Sequence, residues 1–190
     1  MHSGYTISLA TAAHVATLPG IESKAAARFA GWRVPRAVLT ETTPLPALAA
    51  AQATGRLWVA LSRADDPVGF GLIEALGTRL HLEELDVLPD HGGRGIGTAL
   101  VGEIEEWARL NRFREIALTT FRDVPWNAPF YQKLGFEIVD EPDLDAVLLR
   151  WLENDGARGL DRTRRVAMRK RLGSEEPQPT HTLETGLQVE

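Results

Sequence analysis

The spacing of hydrophobic positions along the chain changes between helical and strand-like patterns. Apolar residues recur at helical spacing in residues 20–32, which predicts an amphipathic helix with Glu22 and Lys24 facing water. A second helical pattern covers residues 43–55, begins with prolines and ends near a glycine. We find no internal repeat, so these patterns indicate one mixed unit of helices and strands.

Three apolar runs with the length of strands follow these helices. Residues 56–63 and 67–77 flank a short Asp- and Pro-containing turn, which predicts two adjacent antiparallel strands. The third run covers residues 79–89, and its apolar positions form two pairs that are out of phase: Leu80 with Leu82, and Leu85 with Val87. The phase changes at Glu83 and Glu84. Because strand side chains alternate faces, this indicates either a one-residue bulge or a strand buried on both faces.

A glycine-rich loop, VLPDHGGRGIG, joins the third run to a long amphipathic helix. The helix carries its apolar side chains on one face: Ile96, Leu100, Ile104, Trp107 and Ala108. A helix N-terminus offers unpaired backbone N–H groups, and glycines let phosphate oxygens approach them closely. The loop therefore predicts a phosphate-binding site.

The glycine spacing disfavours two common phosphate-binding motifs. Gly93, Gly95 and Gly97 form G-x-G-x-G, whereas dinucleotide-binding loops have G-x-G-x-x-G. A P-loop needs Lys followed by Ser or Thr, but Thr98 and Ala99 occupy those positions. NAD and ATP are thus poor candidates for the ligand.

Composition and charge limit the partners. The 190 residues include 44% hydrophobic residues, enough for one buried core, and the net charge of −5 argues against nucleic-acid binding. The chain has no Cys, and its five histidines lack metal-ligand spacing, so we expect no metal. We find no leader segment and no apolar run of about 18 residues, and we expect a cytoplasmic protein without a membrane partner.

The loop resembles the acyl-CoA-binding signature of the Gcn5-related N-acetyltransferase (GNAT) superfamily. That signature, Gln/Arg-x-x-Gly-x-Gly/Ala after a strand ending in Val-x-Pro, matches Val87, Pro89, Gly95 and Gly97. Gly92 stands where the family has Gln or Arg, which removes one side chain from the loop. A second block, WNAPFYQKLGF, is similar to a shortened form of the family's Asn-x-x-x-x-Phe-Tyr-x-Lys-x-Gly-Phe. The two blocks occur in the family's order.

The resemblance implies an α/β fold of the GNAT type over residues 1–172. The expected sheet is mixed and twisted, with about seven strands flanked by helices and a splay between strands 4 and 5 for the pantetheine arm. Apolar spacing in residues 144–152 predicts an extra helix before the last strand. That last strand lies in the basic run RTRRVAMRKR, which we interpret as a solvated sheet edge.

Acetyl-CoA is the cofactor that the resemblance implies. Its expected contacts are in the third strand, the glycine loop and the second block: Leu85, Asp86, Val87, Gly92, Gly93, Arg94, Gly95, Ile96, Gly97, Thr98, Asn127, Phe130 and Tyr131. The family also implies that the backbone N–H of Val87 donates to the thioester carbonyl.

Two proton transfers are needed when an amine attacks a thioester. An ammonium with a pKa of about 10.4 must lose a proton, and the thiolate must gain one. Tyr131 is the expected acid; without the family match it would be an aromatic core residue. The expected base is Glu83, with Glu84 as second choice, and the alternative is that one is solvated and the other paired.

The acceptor pocket is predicted from the loop FRDVPW, which precedes Asn127. Phe121, Arg122 and Trp126 are candidate pocket residues, with Arg122 favouring a carboxylate-bearing acceptor, and Trp32 could close the pocket from the other side. The aromatic residues could equally be ordinary packing.

We thus expect an acetyl-CoA-dependent N-acetyltransferase that acts on a small-molecule amine or a peptide. The alternative is a CoA-binding sensor without turnover. Residues 173–190 are polar and acidic with prolines, which predicts a flexible tail, although the tail could dock on a neighbour in a homodimer.

Overall fold

A mixed seven-stranded sheet organises the chain in the computed structural model, which describes residues 4–173. Its strands are β1 (Thr6–Leu9), β2 (Leu57–Leu61), β3 (Pro67–Leu76), β4 (Arg79–Val87), β5 (Glu115–Phe121), β6 (Glu137–Ile138) and β7 (Arg165–Arg171). Their order across the sheet is β1-β2-β3-β4-β5-β7-β6. Only β4 and β5 pair in parallel among these strands, so the predicted mixed sheet is confirmed.

Seven α-helices cover the two faces of the sheet in the described residues. They are α1 (Ala12–Val15), α2 (Leu18–Ala26), α3 (Arg36–Thr40), α4 (Leu45–Ala53), α5 (Ile96–Leu110), α6 (Ala128–Lys133) and α7 (Ala146–Ala157). The helices predicted from residues 20–32, 43–55 and 144–152 correspond to α2, α4 and α7. The predicted extra helix before the last strand is therefore confirmed.

The apolar stripe of α5 and the helix α6 pack on one face of the sheet, which we call the α5 face. Leu100 and Ile104 of α5 are almost fully buried there. On the opposite face, α2 and α4 pack over β2 and β3. Helix α7 packs on that same face, over β5 and β7. Helices thus cover both faces of the sheet.

The strands β4 and β5 pair over only a short part of their length. Three residue pairs join them, from Arg79 with Glu115 to His81 with Ala117. Beyond His81 the two strands separate, although β4 stays paired with β3 as far as Val87. The predicted splay is confirmed.

A β-bulge interrupts the pairing of β3 with β4. Leu72 pairs with Glu84 and Ile73 pairs with Leu82, which leaves Glu83 as the extra residue. Leu82 and Leu85 consequently both face the α5 side. This register confirms the bulge and excludes a regular strand buried on both faces.

Two expectations about charged residues are wrong. Glu22 does not face water: it is buried on α2 and accepts hydrogen bonds from the backbone N–H and the hydroxyl of Thr43, at 2.8 and 3.3 Å. The basic run does not form a sheet edge, because β7 pairs with both β5 and β6. Arg165, the first residue of β7, forms a buried ion pair with Asp155 at 2.8 Å. This pairing makes an interior position acceptable for the arginine.

The predicted tail, residues 173–190, lies almost entirely outside the described residues. Within residues 4–173, no helix combines the length and the apolar character needed to cross a membrane.

Gly69 should be essential for the contact of β3 with β4. A Cβ at this position would lie 2.7 Å from the backbone oxygen of Asp86, and a backbone atom cannot move aside without separating the strands. We expect Gly69→Ala to lower the free energy of unfolding by about 1–3 kcal/mol, measured by urea denaturation. The control is Gly102→Ala in α5, where nothing lies within 4 Å of the added carbon. That change should be neutral or stabilise by up to about 1 kcal/mol, and equal losses in both variants would contradict the steric explanation.

Candidate active site

A cavity of about 1370 Å³ opens where β4 and β5 separate. Its walls come from the second half of β4, the glycine loop, the end of β5, the helix α6 and the helix α2. Most of the predicted cofactor residues line it: Leu85, Asp86, Val87, Gly92, Gly93, Gly95, Ile96, Gly97, Thr98, Asn127, Phe130 and Tyr131. The two blocks that were recognised in the sequence therefore face one space.

The glycine loop presents backbone rather than side chains to the cavity. Gly93 and Gly95 adopt positive φ angles of 70° and 79°, and Gly95 is the residue that precedes the first turn of α5. A Cβ on Gly97 would lie 3.2 Å from the Phe130 ring, so a side chain there would narrow the gap between α5 and α6. The first N–H groups of α5 thus face a space that can accept phosphate oxygens.

Arg94 points away from this cavity. Its guanidinium donates a hydrogen bond to the Tyr5 hydroxyl at 3.0 Å, and the side chain lines a separate cavity of about 640 Å³ together with Arg63. Of the predicted cofactor residues, only Arg94 is absent from the lining of the larger cavity. Any contact of Arg94 with a ligand would have to come from the neighbouring smaller cavity.

Three carboxyl groups form an acidic wall on the face opposite α5: Glu22 from α2, and Glu84 and Asp86 from β4. Burial raises the pKa of Asp86 to about 7, and the charge of Glu22 contributes. The pKa of Glu84 is raised well above its ordinary value, first by burial and then by Asp86. One carboxylate oxygen of Asp86, Oδ2, is buried without a hydrogen-bond partner among the described residues. The wall is therefore arranged to receive a cation or a proton.

Tyr131 lies partly buried on α6, with its ring against Phe130 and Phe136 at centroid distances of 5.1 and 5.6 Å. Burial raises the pKa of its hydroxyl, and the charges of Asp86 and Glu84 raise it further. Tyr131 consequently stays protonated near neutral pH and can act as a hydrogen-bond or proton donor. Tyr131 and the acidic wall line the same cavity.

Asn127 begins α6 and links it to β5. Its side-chain amide donates to the Thr120 hydroxyl at 2.7 Å, while its Oδ1 is buried without a partner among the described residues. Asn127 therefore has a fixed position and a free acceptor at the cavity wall.

Glu83, the sequence-predicted base, is not part of the acidic wall. It is exposed toward the cavity, and partial desolvation together with the charge of Glu74 raises its pKa. Glu74 on β3 pairs with His81 on β4, and carboxylate or ring atoms of these three residues lie within 4.8 Å of one another. Glu83 and Glu84, although adjacent in sequence, thus belong to different groups.

The predicted acceptor residues are only partly brought to the cavity. Phe121 and Trp126 line it, and Trp32 packs edge-to-face on Trp126 at 5.5 Å without reaching the cavity wall. Arg122 is exposed and is not among the residues that line the cavity, because β5 ends at Phe121 and the chain turns outward. A role of Arg122 in binding a carboxylate at this cavity is therefore not supported by its position.

Several cavity residues were not predicted as site residues: Glu22, Glu74, His81, Asp155, Arg158 and Arg165. Asp155 and Arg165 neutralise each other, and Arg165 also donates to the Thr119 hydroxyl at 3.1 Å. Only tertiary packing brings these residues to the cavity. The out-of-phase pattern in β4 was the one sequence signal near them, and it pointed to Glu83 and Glu84 alone.

The sequence pattern of the Acetyltransferase (GNAT) family matches residues 26–136, which span the two conserved blocks and most of the cavity. The chain belongs to this family. Two curated relatives share part of its sequence, and both are peptidyl-lysine N-acetyltransferases YjaB. The Salmonella typhimurium protein is 33% identical over 97 residues, which cover 47% of this chain and 55% of that protein. The Escherichia coli protein is 30% identical over 89 residues, which cover 47% and 54%. The matched region thus spans about half the length of these GNAT relatives.

Solved GNAT structures share the fold over most of the chain. The PaiA N-acetyltransferase from Thermoplasma acidophilum, in complex with coenzyme A, has a TM-score of 0.66 at 17% identity and covers 88% of this chain and 98% of its own. Ard1 from Thermoplasma volcanium has a TM-score of 0.63 at 17% identity, with coverages of 90% and 99%. At these identities the similarity supports the fold alone.

Asp86 should make stability depend on pH. Its folded-state pKa of about 7 exceeds the ordinary value of about 3.9, so stability is complete below pH 4 and falls as the pH rises to about 7. Asparagine cannot ionise, so Asp86→Asn should be more stable relative to the wild type at pH 8 than at pH 5, by up to a few kcal/mol. Urea unfolding at both pH values measures the difference. A difference that is the same at pH 5 and pH 8 would contradict the raised pKa.

Proposed function

We propose that the protein transfers the acetyl group of acetyl-CoA directly to a primary amine. The observation that carries this proposal is that the glycine loop at the start of α5 and the acidic wall line one and the same cavity. A phosphate-binding loop explains one end of the cavity, and carboxyl groups suited to an ammonium explain the other. Membership in the GNAT family supports the same reaction.

Acetyl-CoA would bind along the separated edges of β4 and β5. The backbone of Gly92–Thr98 would bind the pyrophosphate, and the pantetheine arm would lie beside Leu85–Val87, where β4 has no partner on its β5 side. Phe130 and Asn127 on α6 would border the arm. This arrangement brings the thioester between β4 and Tyr131.

The reaction replaces the C–S bond of the thioester with a C–N bond, and it requires deprotonation of the ammonium, loss of a second proton from the nitrogen and protonation of the thiolate. A carboxylate of the cavity takes a proton from the acceptor ammonium, and the neutral nitrogen attacks the thioester carbon. The oxyanion is stabilised by a donor, for which we propose the backbone N–H of Val87. When the C–S bond breaks, Tyr131 gives its proton to the thiolate sulfur, and CoA leaves as the thiol. The nitrogen of the new amide gives its surplus proton to the Tyr131 phenolate, which restores the acid, and the carboxyl group releases its proton to solvent.

We propose Asp86 as the proton acceptor, in preference to the glutamates that the sequence suggested. Burial and the charge of Asp86 raise the pKa of Glu84 well above its ordinary value, which disfavours the carboxylate form that a base needs. Glu83 lies with Glu74 and His81, whereas Asp86 belongs to the acidic wall and has a buried carboxylate oxygen, Oδ2, without a hydrogen-bond partner among the described residues. A pKa of about 7 also suits a base that works near neutral pH.

The acceptor class follows from the charge of this wall. Glu22, Glu84 and Asp86 favour a cationic group. Of the arginines at the cavity, Arg165 is paired with Asp155 and Arg158 with Glu41, at 2.8 and 3.7 Å. Phe121 and Trp126 add apolar surface suited to an alkyl chain. We therefore propose an alkyl ammonium acceptor, such as a lysine side chain in a peptide or a small-molecule amine. The peptidyl-lysine activity of the two YjaB relatives supports this choice.

Binding of CoA to the glycine loop can be tested with a matched glycine pair. Gly95 and Gly77 both have positive φ angles, 79° and 62°, so alanine strains the backbone at either position. Only Gly95 lies at the cavity, and Gly95→Ala should weaken CoA binding by roughly tenfold or more, which corresponds to about 1.4 kcal/mol. Calorimetry with acetyl-CoA measures this, and Gly77→Ala should retain the wild-type affinity. No binding of acetyl-CoA by the wild type would refute the proposed function.

The base and the acid can be tested through the pH dependence of turnover with an amine panel that includes lysine peptides. Because Asp86 must be ionised to accept a proton, the wild-type rate should rise as the pH passes through about 7. Asp86→Asn should lower kcat about 100-fold and remove this rise, and Tyr131→Phe should lower kcat while acetyl-CoA binding persists.

Glu83→Gln is the comparison variant for this experiment. If it removes the pH-dependent rise and Asp86→Asn does not, the base is Glu83. Binding of acetyl-CoA without turnover of any amine would instead favour a CoA sensor.

A further inference from the structure

A group of three side chains at the start of the splay remains unused by the proposed reaction. It consists of Glu74, His81 and Glu83, which we call the Glu-His-Glu cluster. Each residue offers one ligand atom, and these atoms all lie within 4.8 Å of one another. All three residues line the cavity, so an ion from solvent has a path to them.

The sheet holds two members of this cluster on adjacent strands. Glu74 on β3 is the direct cross-strand partner of His81 on β4, so both side chains leave the same face of the sheet. Trp151 of α7 stacks on the His81 ring with a centroid distance of 3.7 Å and an angle of 16° between the planes. This stacking fixes the imidazole plane while leaving its nitrogens at the ring edge. The histidine is therefore preoriented before any ligand arrives.

Glu83 is the third member, and it lies at the bulge. Glu83 is the extra residue of β4, two positions after His81, and it has no cross-strand partner on β3. Because strand side chains alternate faces, the position of Glu83 two residues after His81 places its side chain on the face that carries Glu74 and His81. A regular strand would place only one of Glu83 and Glu84 on this face, whereas the bulged strand presents both to the cavity.

The hydrogen bonds and ion pairs of residues 4–173 include none of these three side chains. Burial and the charge of Glu74 raise the pKa of Glu83, the charge of Arg56 lowers it, and Arg56 is therefore the competing cation to consider. Its Nε instead donates to the Thr54 hydroxyl at 2.9 Å, and no ion pair joins it to Glu83 within the described residues. Two carboxylates and an imidazole thus converge without a cation between them.

We propose that the Glu-His-Glu cluster binds one Zn²⁺ ion. Zn²⁺ accepts imidazole nitrogen and carboxylate oxygen as ligands, and three protein ligands leave the fourth tetrahedral position for water. Zinc–ligand distances of about 2.0–2.2 Å require the ligand atoms to approach more closely than the 4.8 Å limit, and rotation of the two glutamate side chains supplies that movement. Mg²⁺ fits poorly because it prefers six oxygen ligands in rigid octahedral geometry.

The test measures metal binding alone, on the full chain without acetyl-CoA, so its result does not depend on acetyltransferase activity. Equilibrium dialysis with Zn²⁺ should give one ion per chain, and Co²⁺ should give the visible absorption of a four-coordinate site. Excess Mg²⁺ should not displace either ion.

His81→Phe removes the nitrogen ligand and keeps an aromatic ring to stack on Trp151. We expect this variant and Glu74→Gln each to weaken Zn²⁺ binding at least tenfold. The matched control is His14→Phe, which removes a histidine on α1 that lies outside the cluster and should leave Zn²⁺ affinity unchanged. Circular dichroism of each variant checks that it folds, and Glu83→Gln provides a further ligand deletion if His81→Phe does not. The proposal would be overturned if the wild type binds Zn²⁺ more weakly than millimolar. It would also be overturned if any of the three ligand variants folds and keeps the wild-type Zn²⁺ affinity.

Discussion

The early end of hydrogen bonding between β4 and β5 is the constraint on which the site depends. Both strands must stay in one sheet, yet only three residue pairs join them. The unpaired half of β4 is held by β3 on one side, and Gly69 allows the backbones to approach closely enough for this. On one face of the sheet, the buried side chains of α5 pack against the same half of β4. The separation is therefore a stable feature, and it creates a cavity that an extended ligand can enter without breaking any pairing.

The bulge at Glu83 determines which side chains this cavity receives. Without it, the apolar and polar positions of β4 would exchange faces halfway along the strand. With it, Leu82 and Leu85 remain in the core beneath α5, while His81, Glu83, Glu84 and Asp86 all line the cavity. One inserted residue thus reconciles a continuous apolar face with a continuous polar one. It also separates the polar residues into the Glu-His-Glu cluster and the acidic wall.

Local sequence patterns predicted the elements that depend on local chemistry. Glycine spacing and periodicity predicted the loop, α5 and α7, whereas the splay was implied by the GNAT resemblance. The phase change in β4 left the bulge as one of two alternatives. Glu22 was placed in water, since periodicity alone cannot reveal that the α3–α4 segment supplies the Thr43 hydrogen bonds that make burial acceptable. The interior position of β7 was missed because an Asp on α7 neutralises Arg165. Such partners come from distant segments, and only the folded chain brings them together.

The raised pKa of Asp86 in the acidic wall lowers folding stability and makes the carboxylate a stronger base. Moving a proton from an alkyl ammonium with a pKa of about 10.4 to an ordinary carboxylate of about 3.9 costs about 9 kcal/mol. The same transfer to Asp86, with a pKa of about 7, costs about 5 kcal/mol. Burying Asp86 beside Glu22 and Glu84 therefore removes nearly half of the proton-transfer penalty, while it destabilises the folded state by a related amount at high pH. The carboxylate arrangement is explained if the protein gives up stability to obtain a stronger base, as functional sites commonly do.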